Sequence, residues 1–450
     1  MLKRNIVLIV IILFGISAQA QSNPAITQWM QNTTQIGTYY VSGNSTPISN
    51  NLLVNCQQVE YSATSVYVTA TGIPSYPTGP FLDGNPSNAQ DQSAIFKIPL
   101  NPIQNTGTLT EGGMGNIGVF INGTALFNYA DGVSWDPSTS ALCGGPPGGN
   151  PPCPGAPGSA NWNRDAIPAE MDGFDCSKGH PAMGNYHHHQ NPSAFKLDLN
   201  VISTICNLYD ADGLYAMNST QHSPLIGFAY DGFPIYGAYA YADVNGTGGI
   251  VRMKSSYELG SATTRTNGPN VDATYFNGYF KEDYTFVNHA GNDYLDEHNG
   301  RFCITPEYPA GIYCYFATVD ENWNSAYPYV VGPTFYGVYN NASVNNISES
   351  TTVYTGTVGI TDADFESMNI NIFPNPAADL IAIQIGGLVE DNLQVNLFDS
   401  SGKLIQNATI SAGSTIAYFD VQSVYEGTYI ISIVNGNNTT AKKVVIERSK

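Results

Sequence analysis

Short apolar runs recur along the whole chain, and most are bounded by stretches rich in Gly, Pro, Asn, Asp and Ser. Runs this short, rich in Val, Ile, Tyr and Phe, read as β-strands, because β-branched and aromatic side chains fit a pleated, half-buried surface. The spacing predicts strands at Val66 to Ala70, Ser93 to Pro99, Tyr313 to Val319 and Tyr327 to Val331. Gly118 to Leu126 breaks at Asn122-Gly123, and Leu225 to Tyr241 breaks at Asp231-Gly232; both dipeptides favour tight hairpin turns. From Ser193 to Cys206 periodicity leaves helix and strand both open. Composition agrees with the pattern: 12% of residues are charged, against 29 Tyr, 45 Gly and 27 Pro. Helical bundles are not built this way, and a mainly β fold with many shaped loops is expected.

Lys3 and Arg4 precede the apolar run Ile6 to Phe14, and Ala18-Gln19-Ala20 offers small residues where a signal peptidase reads. That run is too short to span a bilayer, so residues 1–20 are expected to be a cleaved signal peptide, with Gln21 the mature N-terminus. No later stretch reaches the roughly 18 apolar residues of a transmembrane helix. Acidic residues outnumber Lys plus Arg by 36 to 16. Such a surface repels nucleic acid and anionic membranes, so nucleic acid is excluded as a partner.

Seven cysteines in an exported chain point to disulfides. Cys143 and Cys153 flank a Gly-Pro-rich loop that a staple would hold in one shape. Cys303 and Cys314 sit on short runs around Pro309-Ala310-Gly311, where a hairpin would set them opposite each other. Cys176 and Cys206 bracket the histidines and are the third candidate pair, which leaves Cys56 free. Thiolate metal ligation competes with a disulfide at Cys176, four residues before His180.

Composition changes after about Tyr339. Residues 21–339 form a β-rich first domain, residues 340–367 read as a linker, and residues 368–450 hold no Cys, His or Trp. In this last segment alternating runs at Leu380 to Ile385, Leu393 to Phe398, Thr415 to Val421, Gly427 to Val434 and Ala441 to Ile446 predict a small antiparallel, Ig-like β-sandwich.

Chemistry concentrates in the first domain, where four of the seven histidines fall between His180 and His189. On an extended chain side chains alternate, so His187 and His189 share one face, about 7 Å apart, and His188 takes the other. His222, ahead of a Pro-containing turn and an apolar strand, projects back toward this cluster. His180, His187, His189 and His222 are thus the candidate ligands of one ion. Imidazole suits zinc and copper, and affinity alone favours Cu(II). Three histidines with an open position make a catalytic zinc pattern, whereas a closed fourth position makes a structural or carrier site. Asp231 reads as the cap of its own tight turn. His289 and His298 lie in an acidic loop with Asp293, Asp296 and Glu297, where Arg301 is expected to fork to a carboxylate. No Gly-x-Ser-x-Gly, His-Glu-x-x-His, dinucleotide or phosphate loop is present. Three functions remain open: an exported metal-binding protein, a metal-dependent extracellular hydrolase or oxidase, and a structural or adhesive surface protein with packed histidines.

Several segments resemble the YHYH family. They are Tyr186-His187-His188-His189 after Asp175-Cys176 and Gly179-His180-Pro181, the run from His222 to Gly237, Leu295 to Phe302, and Thr305 to Pro309. The resemblance spans roughly Ala94 to Gly332 and implies a β-rich fold and a metal site, without a substrate. His188 stands where the family's name has its second Tyr, and on a strand it is not needed for the site of His187 and His189. His298 stands where such sequences often carry Cys. If that Cys pairs with the one before the histidines, Cys176 here turns to another partner, with Cys206 the candidate, or to none, or faces the metal together with His298. Phe373-Pro374-Asn375-Pro376, Leu397 to Lys403, Gly427-Thr428-Tyr429 and Lys442-Lys443-Val444-Val445 are similar to the C-terminal sorting domain of type IX secretion substrates. That likeness implies a Bacteroidota-type source and the type IX machinery as partner. It also implies export past the outer membrane, removal of the domain on the way, and release or attachment at the cell surface.

Overall fold

The computed structural model describes residues 23–448 apart from 45, 84–87, 146–148, 156–159, 194–212, 216, 340–341, 355–369, 386–391, 400–402, 412–413 and 436–437. The expected signal peptide, Cys206 and most of the Ser193 to Cys206 stretch therefore lie outside the described residues. What is described is mainly β, in several mostly antiparallel sheets. An eight-stranded sheet carries the histidines. Its order is Gly179–Ala182, Asn185–His188, Ala125–Phe127, Asn116–Phe120, Leu225–Ala229, Pro234–Tyr236, Ile312–Phe316 and Gly300–Cys303. Two expected hairpins are in it. Asn116–Phe120 turns back at Asn122-Gly123, where Gly123 has φ +76°, and Leu225–Ala229 turns back at Asp231-Gly232, where Gly232 has φ +90°. The Asp231 carboxylate accepts from Phe233 N as a turn cap, and also from Gly337 N and the Tyr315 hydroxyl.

Why these segments bury is plain from their composition. Leu225–Ala229 and Pro234–Tyr236 are buried at every position, and with Phe120, Phe228, Tyr315 and Phe316 they form the centre of one large core. Each Leu, Ile or Phe side chain among them is worth about 1.5–3 kcal/mol on full burial. A five-stranded sheet (Ser343–Val344, Ala94–Pro99, Ser65–Ala70, Cys56–Tyr61, Thr352–Val353) contributes to the same core. Its two edge strands come from the stretch read as a linker, so the first domain keeps Ala342 to Tyr354. The terminal segment has its own apolar core between a three-stranded and a four-stranded antiparallel sheet. It adds two strands that the pattern did not mark, Ile370–Phe373 and Leu404–Ile410.

Three expectations need correction. Tyr327 to Val331 is a turn and not a strand: Pro328 lacks a ladder donor, and Tyr329, at φ +70°, donates its N–H back to Ala326 O. Cys303 and Cys314 are free thiols. Their strands pair with Cys303 facing Ile312 and Cys314 facing Arg301, so the sulfurs meet on a diagonal and not across a direct pair. Arg301 forks to the backbone carbonyls of Ala242, Tyr241 and Asn292 and not to a carboxylate. Asp293 instead pairs with Lys254 at 2.7 Å, and Asp296 accepts from Tyr313 and from two backbone N–H groups.

The Cys143–Cys153 bond is formed, and Cys56 is free and buried. Closing a loop of separation 10 stabilises by about 2–3 kcal/mol through the unfolded state. Paired Cys143→Ser and Cys153→Ser changes should lower the unfolding free energy by about that amount, read by denaturant titration. Unchanged stability would mean that the Gly-Pro loop is ordered without its staple.

Candidate functional site

The site begins with a tight turn. Gly179–Ala182 and Asn185–His188 form an antiparallel hairpin through Met183-Gly184, both with positive φ (+50° and +86°). A two-residue loop with both residues left-handed matches the twist of the strands it joins. The register is set there: Ala182 faces Asn185, Pro181 faces Tyr186, and His180 faces His187. Directly opposite residues share a face, and alternation adds His189 to the same side. His180, His187 and His189 accordingly converge, with one ring nitrogen of each lying within 4.8 Å of the others, and all three are buried.

The opposite face does a different job. Tyr186 donates to the Asp175 carboxylate at 2.9 Å, and Asp175 also accepts from the backbone N–H of Gly79, Ser177 and Gly179. A Cβ at Gly179 would overlap the Tyr186 ring, so this strand position tolerates only glycine while the ring crosses to Asp175. His188 bonds the Tyr76 hydroxyl at 2.8 Å and the Lys178 carbonyl at 3.0 Å. Tyr186 and His188 thus tie the hairpin to the loop before it.

Two neighbouring elements complete the histidine face. Asn185–His188 runs parallel to Ala125–Phe127, with His187 beside Ala125 and His188 beside Leu126. The chain leaving that strand brings the Asn128 carbonyl to 2.6 Å from His189 Nδ1 and stacks Phe127 on His187 at 3.8 Å between ring centroids. The short helix Ala166–Glu170 starts at Asp165, which caps Ile167 N, and admits Pro168 in its first turn, where the missing N–H costs nothing. Its last residue, Glu170, places Oε2 3.2 Å from His180 Nε2 and 3.3 Å from His189 Nε2.

Hydrogen bonding assigns the protons. A carbonyl oxygen can only accept, so His187 Nδ1, bonded to Asn185 O at 2.9 Å, and His189 Nδ1, bonded to Asn128 O, each carry a hydrogen. In the neutral rings both lone pairs then sit on Nε2, and these two atoms are 3.1 Å apart. Burial holds His187 well below the ordinary imidazole range, so it stays neutral. Burial also pulls on His189, but the Glu170 carboxylate overcomes it and the net shift is upward. Partial burial acts against the Glu170 charge, yet its two histidine partners hold it far below the usual carboxylate range. Both ring nitrogens of His180 and the Glu170 Oε2 are buried without a hydrogen bond among the described residues.

His222 does not join this cluster. Its Nδ1 donates to Ser223 O at 2.7 Å, and its ring packs between Tyr236 and Tyr241. His298 is held by Thr334, and His289 pairs with Glu258 on the surface. Cys176 is disulfide-bonded, which removes the thiolate reading; Cys206, its candidate partner, lies outside the described residues. Glu170 was missed by sequence reasoning. No spacing marks a glutamate ten residues before His180 at the end of a one-turn helix.

Burial, helped by Arg301 nearby, outweighs the Ser223 bond and lowers the His222 pKa to about 4. A histidine whose folded pKa lies below its unfolded value, about 6.5, stabilises fully above that value and loses the contribution as pH falls. Relative to His222→Phe, the wild-type chain should therefore lose about 2 kcal/mol of stability between pH 7 and pH 4, after allowing for partial exposure. Parallel pH dependence in the two proteins would show that His222 titrates normally.

A family model described as YHYH protein matches residues 95–328, and one described as secretion system C-terminal sorting domain matches residues 371–447. No curated protein matches the chain. The sorting domain marks the protein for the type IX machinery, for secretion and for the cell surface. Among the described residues no helix is long and apolar enough to cross a membrane. The first match contains the whole hairpin, Glu170, Asp175 and His222, and it covers more than half of the sequence: the chain belongs to the YHYH protein family.

Proposed function

We propose that this exported protein binds one zinc or copper ion through His187 Nε2, His189 Nε2, a ring nitrogen of His180 and the Glu170 carboxylate. The observation that carries this reading is the convergence of three buried imidazoles and one carboxylate on a single point. Two imidazole lone pairs face each other at 3.1 Å, and next to them Glu170 Oε2 lies 3.2 Å from His180 Nε2 and 3.3 Å from His189 Nε2. A proton on His189 would relieve the first contact and still leave His180 Nδ1 buried without a partner, at about 1–3 kcal/mol. One cation satisfies all of them together. The spacing fits as well. Ligand atoms about 2.0–2.1 Å from zinc define a tetrahedral edge of about 3.3–3.4 Å. The separations among Nε2 of His187, Nε2 of His189, Nε2 of His180 and Oε2 of Glu170 that are closest run from 3.1 to 3.3 Å. The backbone carbonyls on the two Nδ1 atoms are the orienting partners that metal-binding histidines require.

Three imidazoles and one carboxylate suit Zn(II) and Cu(II) alike. A metal-dependent hydrolase or oxidase is the second reading. It is favoured by Glu170, whose side chain is 26% exposed while the His180 and His189 side chains are nearly closed off. A carboxylate that yields its place to water would turn a closed carrier site into an open catalytic one.

Protein purified without a histidine tag should carry one ion per chain by elemental mass spectrometry. His187→Ala and His189→Ala should each weaken binding by orders of magnitude, and Glu170→Gln by about 10–100-fold. His188→Tyr and His222→Phe should leave the stoichiometry unchanged, since neither side chain faces the cluster. A chain that takes up neither Zn(II) nor Cu(II) would make the histidines a packing feature and sink the proposal.

A further inference from the structure

Behind the histidine cluster lies a group of tyrosines that the metal reading does not use. Tyr329 is buried and takes a left-handed backbone conformation, φ +70°, which bulky residues rarely adopt and which marks a side chain held in place by its surroundings. Its hydroxyl donates to Asp165 Oδ2, and Asp165 is buried at the N-terminus of the helix that carries Glu170. The Tyr329 ring lies 6.0 Å from Tyr129 and 5.7 Å from Tyr327, centroid to centroid. Tyr129 and Tyr327 are 5.0 Å apart, and Tyr327 donates to the Tyr129 hydroxyl at 3.3 Å. Tyr327 stacks in turn on half-buried Tyr284, at 4.2 Å with the rings 8° from parallel. Tyr129 directly follows Asn128, whose carbonyl holds His189 Nδ1, so one hydrogen bond and a few covalent bonds connect the cluster to the first ring.

We propose that Tyr329, with Asp165 as its proton acceptor, is a redox-active tyrosine, and that Tyr129, Tyr327 and Tyr284 relay single electrons between it, the histidine centre and the surface. The relay to the centre rests on the metal reading; the redox chemistry of Tyr329 does not. Oxidation of Tyr329 removes one electron from the ring while the phenolic proton moves along the existing hydrogen bond to the carboxylate, leaving a neutral phenoxyl radical. With a peroxide as oxidant, two tyrosines each give one electron and one proton, and one hydrogen peroxide becomes two waters. Burial lifts the Asp165 pKa to about 7 against the pull of its Tyr329 and Ile167 bonds, so the carboxylate can hold that proton near neutral pH.

Two experiments separate the tyrosine from the metal. In metal-free protein, flash oxidation by a ruthenium photo-oxidant should give a phenoxyl radical, seen by transient absorption and electron paramagnetic resonance. Its signal should fall to background in Tyr329→Phe. Asp165→Asn keeps the helix cap and should slow radical formation and abolish its solvent isotope effect. In copper-loaded protein, freeze-quenching after hydrogen peroxide should give the same radical. Circular dichroism and copper content of each variant exclude misfolding and metal loss. A radical spectrum unchanged in Tyr329→Phe would overturn the proposal. A Tyr329 radical in the metal-free arm, from protein that binds no copper, would uphold the redox tyrosine and remove the metal. Stoichiometric copper with no radical in either arm would do the reverse.

Discussion

The register between Gly179–Ala182 and Asn185–His188 is the constraint on which the rest of the site depends. A strand has a side-chain period of two, so a slip of one residue would send His187 and His189 to the Tyr76 side and put Tyr186 and His188 in their place. Three features oppose that slip. Met183-Gly184 permits only a two-residue turn, Gly179 leaves room for one ring and that ring is Tyr186, and Asp175 takes the Tyr186 hydroxyl together with three backbone donors. The polar face of the hairpin therefore acts as a clamp, and the precision of the histidine face is inherited from it.

Burial then gives these groups their character. An imidazole in water exchanges hydrogen-bond partners freely; His187 and His189 cannot, because each Nδ1 is committed to one backbone carbonyl. Desolvation keeps His187 neutral, while Glu170 supplies the negative charge in direct contact with His180 and His189. A chain with this large excess of acidic residues has no shortage of carboxylates, but among the described residues Glu170 is the one paired with these rings, at 3.2 and 3.3 Å. Cation preference at this point comes from placement and not from net charge.

Much of this was legible in the residues. Alternation assigned His187 and His189 to one face and His188 to the other, and the His188 bonds to Tyr76 and Lys178 put it there. Asn122-Gly123 and Asp231-Gly232 marked two hairpins because their backbone demands are local. Other readings failed where a local signal was asked to predict a distant partner. His222 has a turn and an apolar strand after it, yet its strand lies on the far side of Asn116–Phe120 and Ala125–Phe127 from the hairpin. Cys303 and Cys314 lie on paired strands as expected, but the pairing is offset from the one that would join them. Glu170 carries no local mark at all.

By itself the sequence determined what depends on neighbours along the chain. Strand content, the turn dipeptides, the alternation of the histidines and the sorting segment at the C-terminus all follow from side-chain period and backbone freedom over a few residues. The tertiary structure decided what depends on the order of strands in a sheet and on one helix end meeting a strand face. It set Glu170 against His180 and His189, withdrew His222, and put the Asn128 carbonyl behind the ring of His189. These contacts join residues tens of positions apart. The free energy that selects among them is core burial shared by the whole domain, which no short window of sequence contains.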